Sequence, residues 1–196
     1  MKRPQLLFDI MSTVVYDPIF AEIPGFFGLT LAEFFAAATP QAWIDFELGT
    51  VDEKDTMASF FRDKRRFDAE QFKSTIRDAY RFIDDGMEPL LQELNAQGYA
   101  IHALSNYPPW FWMIEEKLEL SRYLKWSFVS CELGLRKPDP AIYLAASERL
   151  AIPPSDALFV DDREDNCEGA RSVGMDAIRF ESSDKLRTEL RNRRLI

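Results

Sequence analysis

Apolar positions along this chain follow two rhythms, and the change between them divides it. Near the start, Leu6-Leu7-Phe8 form an unbroken apolar run ending at Asp9. Such a run fits a strand buried on both faces of a parallel sheet and predicts a strand over 5–10. From residue 17 to 84 the spacing becomes that of amphipathic helices, predicted over 29–38, 41–47, 53–62 and 69–83. Breakers at Pro40, Gly49 and Asp84-Asp85-Gly86 separate them. Beyond Gly86, helices and short apolar runs alternate. Helices are predicted over 87–97, 109–118, 140–150 and 166–173, with strands over 99–104, 128–130, 157–160 and 177–180.

Strands alternating with helices predict a parallel sheet joined by right-handed crossovers. The first strand needs the later ones to bury it, because one strand alone is no domain. The helical stretch therefore reads as an insertion. The expected organisation is an α/β core domain over 1–15 and 85–196 and a helical cap domain over 16–84. A cap can exclude water and supply substrate contacts.

Composition narrows the partners. The chain has 196 residues, 46% hydrophobic and 29% charged, which fits one substantial core with a smaller appended unit. A net charge of −9 argues against an extended nucleic-acid surface. The clustered cations Lys64-Arg65-Arg66 and Arg191, Arg193, Arg194 read as solvated faces on helices or the C-terminal tail. Cys131 and Cys167 imply no disulfide framework and fit a reducing compartment. No apolar segment approaches the roughly 20 residues needed to span a bilayer, so no membrane partner is expected. Strand-like sequence from Gln5 leaves no room for a signal peptide. The expected location is the cytoplasm, or the plastid stroma if a transit peptide has been removed, and the expected state is monomer or homodimer.

Candidate chemistry gathers at the predicted strand ends, where doubly wound sheets bind ligands. Asp9 follows the first strand, Ser105-Asn106 the second, and Asp161-Asp162 the run Leu158-Phe159-Val160, while Lys137 sits in the loop Gly134–Pro140. Singly, each has an ordinary reading as a helix cap, turn residue or surface cation. Together they offer a carboxylate nucleophile, a hydroxyl donor, a cation and an acidic pair suited to Mg²⁺. That set meets the needs of phosphoryl transfer, which are in-line positioning and neutralisation of oxygen charge.

The order Asp9, Ser105, Lys137, Asp161-Asp162 resembles the four motifs of the haloacid dehalogenase superfamily, with a helical cap inserted after the first. The resemblance implies a Rossmann-like α/β core with a parallel sheet. It implies that Asp9 attacks phosphorus, forming an aspartyl-phosphate that water hydrolyses. It implies that Ser105 and Lys137 contact the transferring group, with Asn106 alongside. Mg²⁺ would be held by Asp9, the backbone carbonyl of Met11 and Asp162, with Asn166 in support and Asp161 as an alternative ligand or a supporting residue. The implied partner is a small phosphorylated metabolite.

Position 11 departs from the superfamily pattern. Phosphatases of the superfamily usually carry Asp there, to protonate the leaving oxygen and then activate water. Met11 can do neither, and such proton transfer is commonly worth roughly 10²–10⁴-fold. Ser12, Asp17, Asp45 and Glu47 are the candidate substitutes; Asp17, just before Pro18, also reads as a turn residue. His102, the only histidine, falls mid-strand and reads as a core or sheet-face residue.

A narrower resemblance lies in Leu6–Met11, Trp43–Glu47, Ser105–Pro108 and Lys137–Pro140, which are similar to segments of plant plastid-type flavin mononucleotide hydrolases. It implies flavin mononucleotide (FMN) as substrate. Tyr107 and Trp110, placed in the loop after Ser105, are the expected substrate contacts, whereas the cap residues Phe26, Phe27, Phe34 and Phe35 read first as core. Two other functions compete. A metal-independent dehalogenase would usually carry Tyr at position 11 and lack the acidic pair. A non-catalytic binding protein would have no need of an intact Asp9.

Overall fold

The computed structural model describes residues 3–196. Five parallel strands form one sheet in the order β3-β2-β1-β4-β5: β1 (Gln5–Phe8), β2 (Ile101–Ser105), β3 (Lys125–Val129), β4 (Ala157–Asp161) and β5 (Asp176–Arg179). β1 lies at the centre, with Leu6 opposite both Ile101 and Leu158. Alternation along the strands then divides the core. Leu6, Phe8, Ala103, Leu158 and Val160 pack on one face, and Leu7, Leu104, Ala157 and Phe159 on the other. Both faces are apolar, as the unbroken runs require.

Helices α1 (Glu22–Phe26), α2 (Leu31–Ala37), α3 (Pro40–Glu47), α4 (Glu53–Ser59) and α5 (Ala69–Ala79) all lie between β1 and β2. The chain leaves and returns side by side, where Val15 and Phe82 form an antiparallel bridge. An edge-to-face cluster of Phe27, Phe61, Phe67 and Phe72 fills the helical segment. The remaining helices, α6 (Met87–Ala96), α7 (Phe111–Leu118), α8 (Ser130–Leu133), α9 (Pro140–Arg149), α10 (Glu164–Ser172) and α11 (Ser183–Asn192), connect the strands or follow the last one.

Two glycines permit close approaches that position the site. Gly49, at φ +68°, lies where a Cβ would come 2.5 Å from the Cys131 carbonyl oxygen, seating the helical segment against the start of α8. Gly169 on α10 lies where a Cβ would come 2.5 Å from the Pro138 carbonyl oxygen, so α10 packs directly on the loop that carries Lys137.

Several boundaries differ from expectation, each because pairing overrides local pattern. The helix over 69–83 stops at Ala79, because Ile83 N donates to Val14 O at 2.9 Å in the return segment. The helix over 53–62 stops at Ser59, where Phe60 O accepts from Thr39 N. β3 begins at Lys125, earlier than the apolar run, because an edge strand tolerates Lys125 and Ser127. α1 contains Pro24 and Gly25, which hide it from the helical pattern. Lys64-Arg65-Arg66 lie in the loop after α4 and not on a helix. Cys131 and Cys167 are free thiols, and among the described residues no helix is long and apolar enough to cross a membrane.

Candidate active site

The ends of β1, β2 and β4 bring the sequence-derived residues to one edge of the sheet. Asp9 N donates to Val160 O at 2.8 Å, which holds Asp9 one step beyond β1. Ser105 is the last residue of β2 and Asp161 the last of β4. Lys137 reaches them from its loop: its Nζ lies 2.7 Å from Asp9 Oδ1 and 2.6 Å from Asp161 Oδ2. Only 2% of Lys137 is exposed, so this ion triad is inside the protein, where an unpaired charge would be strongly unfavourable.

The loop is fixed by a reciprocal pair of bonds. Asn106 Nδ2 donates to Lys137 O at 2.9 Å, and Lys137 N donates to Asn106 Oδ1 at 2.8 Å. Asn106 was expected to touch substrate; its amide is instead committed to aiming Lys137, although the residue also lines the adjoining cavity. Asn166 was expected to support Asp162, but its Nδ2 donates to both oxygens of Asp161, at 2.9 and 3.0 Å. Asp161 also accepts from Arg163 N at 2.9 Å, so its carboxylate is occupied with the lysine, the asparagine and the helix entry. Asp162, half-buried, is placed by Thr13, whose Oγ1 accepts from the Asp162 amide at 3.1 Å. Thr13 has no role assigned from the sequence; its place four residues after Asp9 is the available signal.

Charge balance in the cluster is incomplete. Carboxylate oxygens of Asp9, Asp161 and Asp162 lie within 4.8 Å of one another, with Lys137 the cation bonded to two of them. Burial, reinforced by the Asp161 and Asp162 charges and only partly opposed by Lys137, pushes the Asp9 carboxyl up to about 8. Burial and the Asp161 charge raise Asp162 as well. Burial pulls Lys137 down, but the summed attraction of Asp161 and Asp9 carries it above its ordinary value. An all-oxygen donor set with surplus negative charge fits a small divalent cation such as Mg²⁺. Beside it, the Ser105 hydroxyl is wholly buried and has no hydrogen-bond partner among the described residues. Such an orphan is unusual and marks a place where a ligand oxygen would complete the bonding.

A cavity of about 280 Å³ adjoins the cluster, meeting it at Met11 and Asn106. Its lining is largely apolar, with Ile23, Phe34, Trp43 and Phe60 among it, and includes Asp17, Glu47, Tyr107 and Arg136. Tyr107 lines it as expected, its hydroxyl 2.6 Å from that of Tyr80. Trp110 does not. Its indole Nε1 donates to Glu53 Oε2 at 2.7 Å and its ring packs on Phe46 and Trp43, which makes it a strut between the helical segment and the core. Arg136, missed in the sequence although adjacent to Lys137, pairs with Glu47 Oε2 at 2.9 Å. Asp45 is turned to Gln41 Nε2 and lies outside the cavity lining. His102 is a sheet residue, bonded to Ser127 Oγ at 2.8 Å.

Comparison with known proteins follows the same lines. The family model for haloacid dehalogenase-like hydrolases matches residues 6–174. Flavin mononucleotide hydrolase 1, chloroplastic, of Arabidopsis thaliana is 44% identical over 96% of this chain and 77% of its own length. A sesquiterpene phosphatase of Aspergillus oryzae is 28% identical over 76% of this chain and 84% of its own length. Among solved structures, a haloacid dehalogenase family enzyme from Bacteroides thetaiotaomicron, in complex with magnesium and inorganic phosphate, superposes with a TM-score of 0.72 over 91% of this chain and 94% of that one, at 20% identity. The last likeness is one of fold.

Proposed function

The chain belongs to the haloacid dehalogenase-like hydrolase family, and from that premise we propose that it is a Mg²⁺-dependent phosphomonoesterase. The observation that carries the reading is the Lys137 bridge between Asp9 and Asp161 beside the unpaired Ser105 hydroxyl. Asp9 Oδ attacks phosphorus and the ester bond breaks, leaving an aspartyl-phosphate that water then hydrolyses. Ser105 donates to a phosphoryl oxygen, and Lys137 offsets charge on that group and on Asp9. Asp9, Asp162 and the Met11 carbonyl would hold Mg²⁺, which would supply charge neutralisation for the phosphoryl oxygens. Asp161, held by Asn166, positions Lys137.

Residues 16–84 act as a cap whose cavity receives the leaving group, and its apolar walls suit a bulky ring system. The Arabidopsis relative supports FMN as the substrate, giving riboflavin and phosphate, and supports a plastid location. Its own name is the ground for both. A phosphate-release screen with Mg²⁺ over flavin, nucleotide and sugar phosphates tests the substrate. Release from FMN above the other esters is expected, together with beryllofluoride trapping at Asp9. Trapping that persists in Asp9→Asn would overturn the mechanism.

A further inference from the structure

We propose that Asp17 carries the proton that Met11 cannot, donating it to the leaving oxygen and then recovering one from the attacking water; the proposal rests on the phosphomonoesterase reading. Among the described residues, Asp17 and Glu47 are the carboxylic acids that line the cavity, and Met11 lines it with them. Glu47 is bound to Arg136 at 2.9 Å, so although burial raises its carboxyl, the group is tethered to the guanidinium and not free to turn to a ligand. Asp45 lies outside the lining, and the Ser12 hydroxyl is too weak an acid for the task.

Asp17 is held in place from two sides. The Val15–Phe82 bridge fixes the chain just before it. Its Oδ1 accepts from Ile19 N at 2.9 Å, capping the turn Pro18–Phe20, while Oδ2 has no partner among the described residues. One oxygen orients the group and the other is available to a ligand. The cap that made Asp17 read as a turn residue is thus the device that aims it.

The groups facing it are Asp162 just beyond β4, Glu47 on α3, Glu22 on α1 and the Tyr80–Tyr107 hydroxyl pair. Glu22 is itself approached by Arg81 at 3.8 Å, and Glu47 by Arg136. Burial, with those carboxylates, pushes Asp17 up to about 6. A carboxyl there retains a protonated fraction near neutral pH and can exchange its proton in both directions.

The step balances as follows. Asp9 Oδ forms a bond to phosphorus as the bond from phosphorus to the ester oxygen breaks. The electron pair of that bond goes to the ester oxygen, which takes the Asp17 proton and departs as an alcohol. Asp17, now a carboxylate, removes a proton from the water that attacks the aspartyl-phosphate. The bond from phosphorus to Asp9 oxygen breaks, its pair returns to Asp9, and phosphate leaves.

The test compares kcat/KM, which reports events up to leaving-group release, for p-nitrophenyl phosphate, phenyl phosphate and FMN, in rising order of leaving-group basicity. Asn caps turns as well as Asp, so Asp17→Asn keeps the local fold. The expected result is a loss of about 10²-fold for phenyl phosphate and FMN with less than about tenfold for p-nitrophenyl phosphate. Adding Met11→Asp to Asp17→Asn should restore the two poorer leaving groups. Equal losses on all three esters, or no loss, would overturn the role of Asp17. Failure of the unsubstituted protein to release phosphate from any of the three esters with Mg²⁺ would instead remove the phosphomonoesterase reading itself.

Discussion

Lys137 Nζ and Asp9 Oδ1 meet at 2.7 Å although 128 residues separate them in sequence. The pair lies in the interior, and Asp161 completes it from the neighbouring strand. Charge in this core is thus conditional on one ammonium, which makes Lys137 as much a stabilising residue as a functional one.

Replacing Lys137 with Met leaves Asp9 and Asp161 buried without their cation. Removing one partner of a buried pair costs about 3–5 kcal/mol. Urea unfolding at pH 8 should show a loss toward the lower end of that range, because without the ammonium the Asp9 carboxyl rises further and takes up a proton there. A change below about 1 kcal/mol at pH 8 would mean that the triad contributes little, as exposed pairs do.

Stability without metal should fall as pH rises from about 4 to about 8. Folded Asp9 holds its proton to about 8 against an ordinary 3.8, so across that window the native state binds more protons than the unfolded chain. Stability declines with pH wherever that holds. Asp17, raised to about 6, adds a contribution of the same sign over the lower half of the window. Thermal melts at pH 5 and 8 check this. Mg²⁺ should raise the melting temperature more at pH 8, because it binds the ionised carboxylates. Asp9→Asn should flatten the slope and abolish phosphate release.

Ser105→Ala should separate stability from activity. The Ser105 hydroxyl is buried without a partner among the described residues, so removing it relieves an unsatisfied group. A gain of up to about 1 kcal/mol is expected in chemical denaturation. Catalysis should fall by about 10²-fold in kcat/KM, the scale for losing one donor to a developing oxyanion. Loss of stability comparable to other core substitutions would contradict the orphan assignment.

Gly169→Ala should disturb the site from outside it. The added methyl would lie 2.5 Å from Pro138 O and 3.0 Å from Tyr143 Cε2, so the loop carrying Lys137 must move. Overpacking of this kind costs about 1–3 kcal/mol. The expected outcome is a lower melting temperature together with reduced kcat, while a surface control such as Gly174 (φ +85°), with open space around its Cβ position, should show backbone strain alone.

Much of the core was legible because a strand buried on both faces stays apolar, with the hydrogen-bonded His102 the exception in β2, until it reaches the sheet edge. The ends of Leu6-Leu7-Phe8, Ile101–Leu104 and Leu158-Phe159-Val160 therefore mark the sheet edge, and Asp9, Ser105 and Asp161 fall there by construction. Legibility failed where an element is held from a distance. β3 is an edge strand with polar positions, and the helix over 69–83 gives way to pairing of the segment after Ala79 with residues 14–16.

Within the site the same division holds. Residue types and strand context determined that Asp9, Ser105, Lys137 and the acidic pair belong together, since each lies at a strand end or in a connecting loop. The fold alone decided how they are used: Asn166 serves Asp161, Asn106 aims Lys137, Trp110 braces the helical segment, and Asp17 lines the same cavity as Met11. Periodicity along a chain records backbone geometry over a few residues, so it can say where an element starts and which side is apolar. Direction and partner of a polar side chain depend on what packs against it from far along the chain, and on the desolvation that packing imposes.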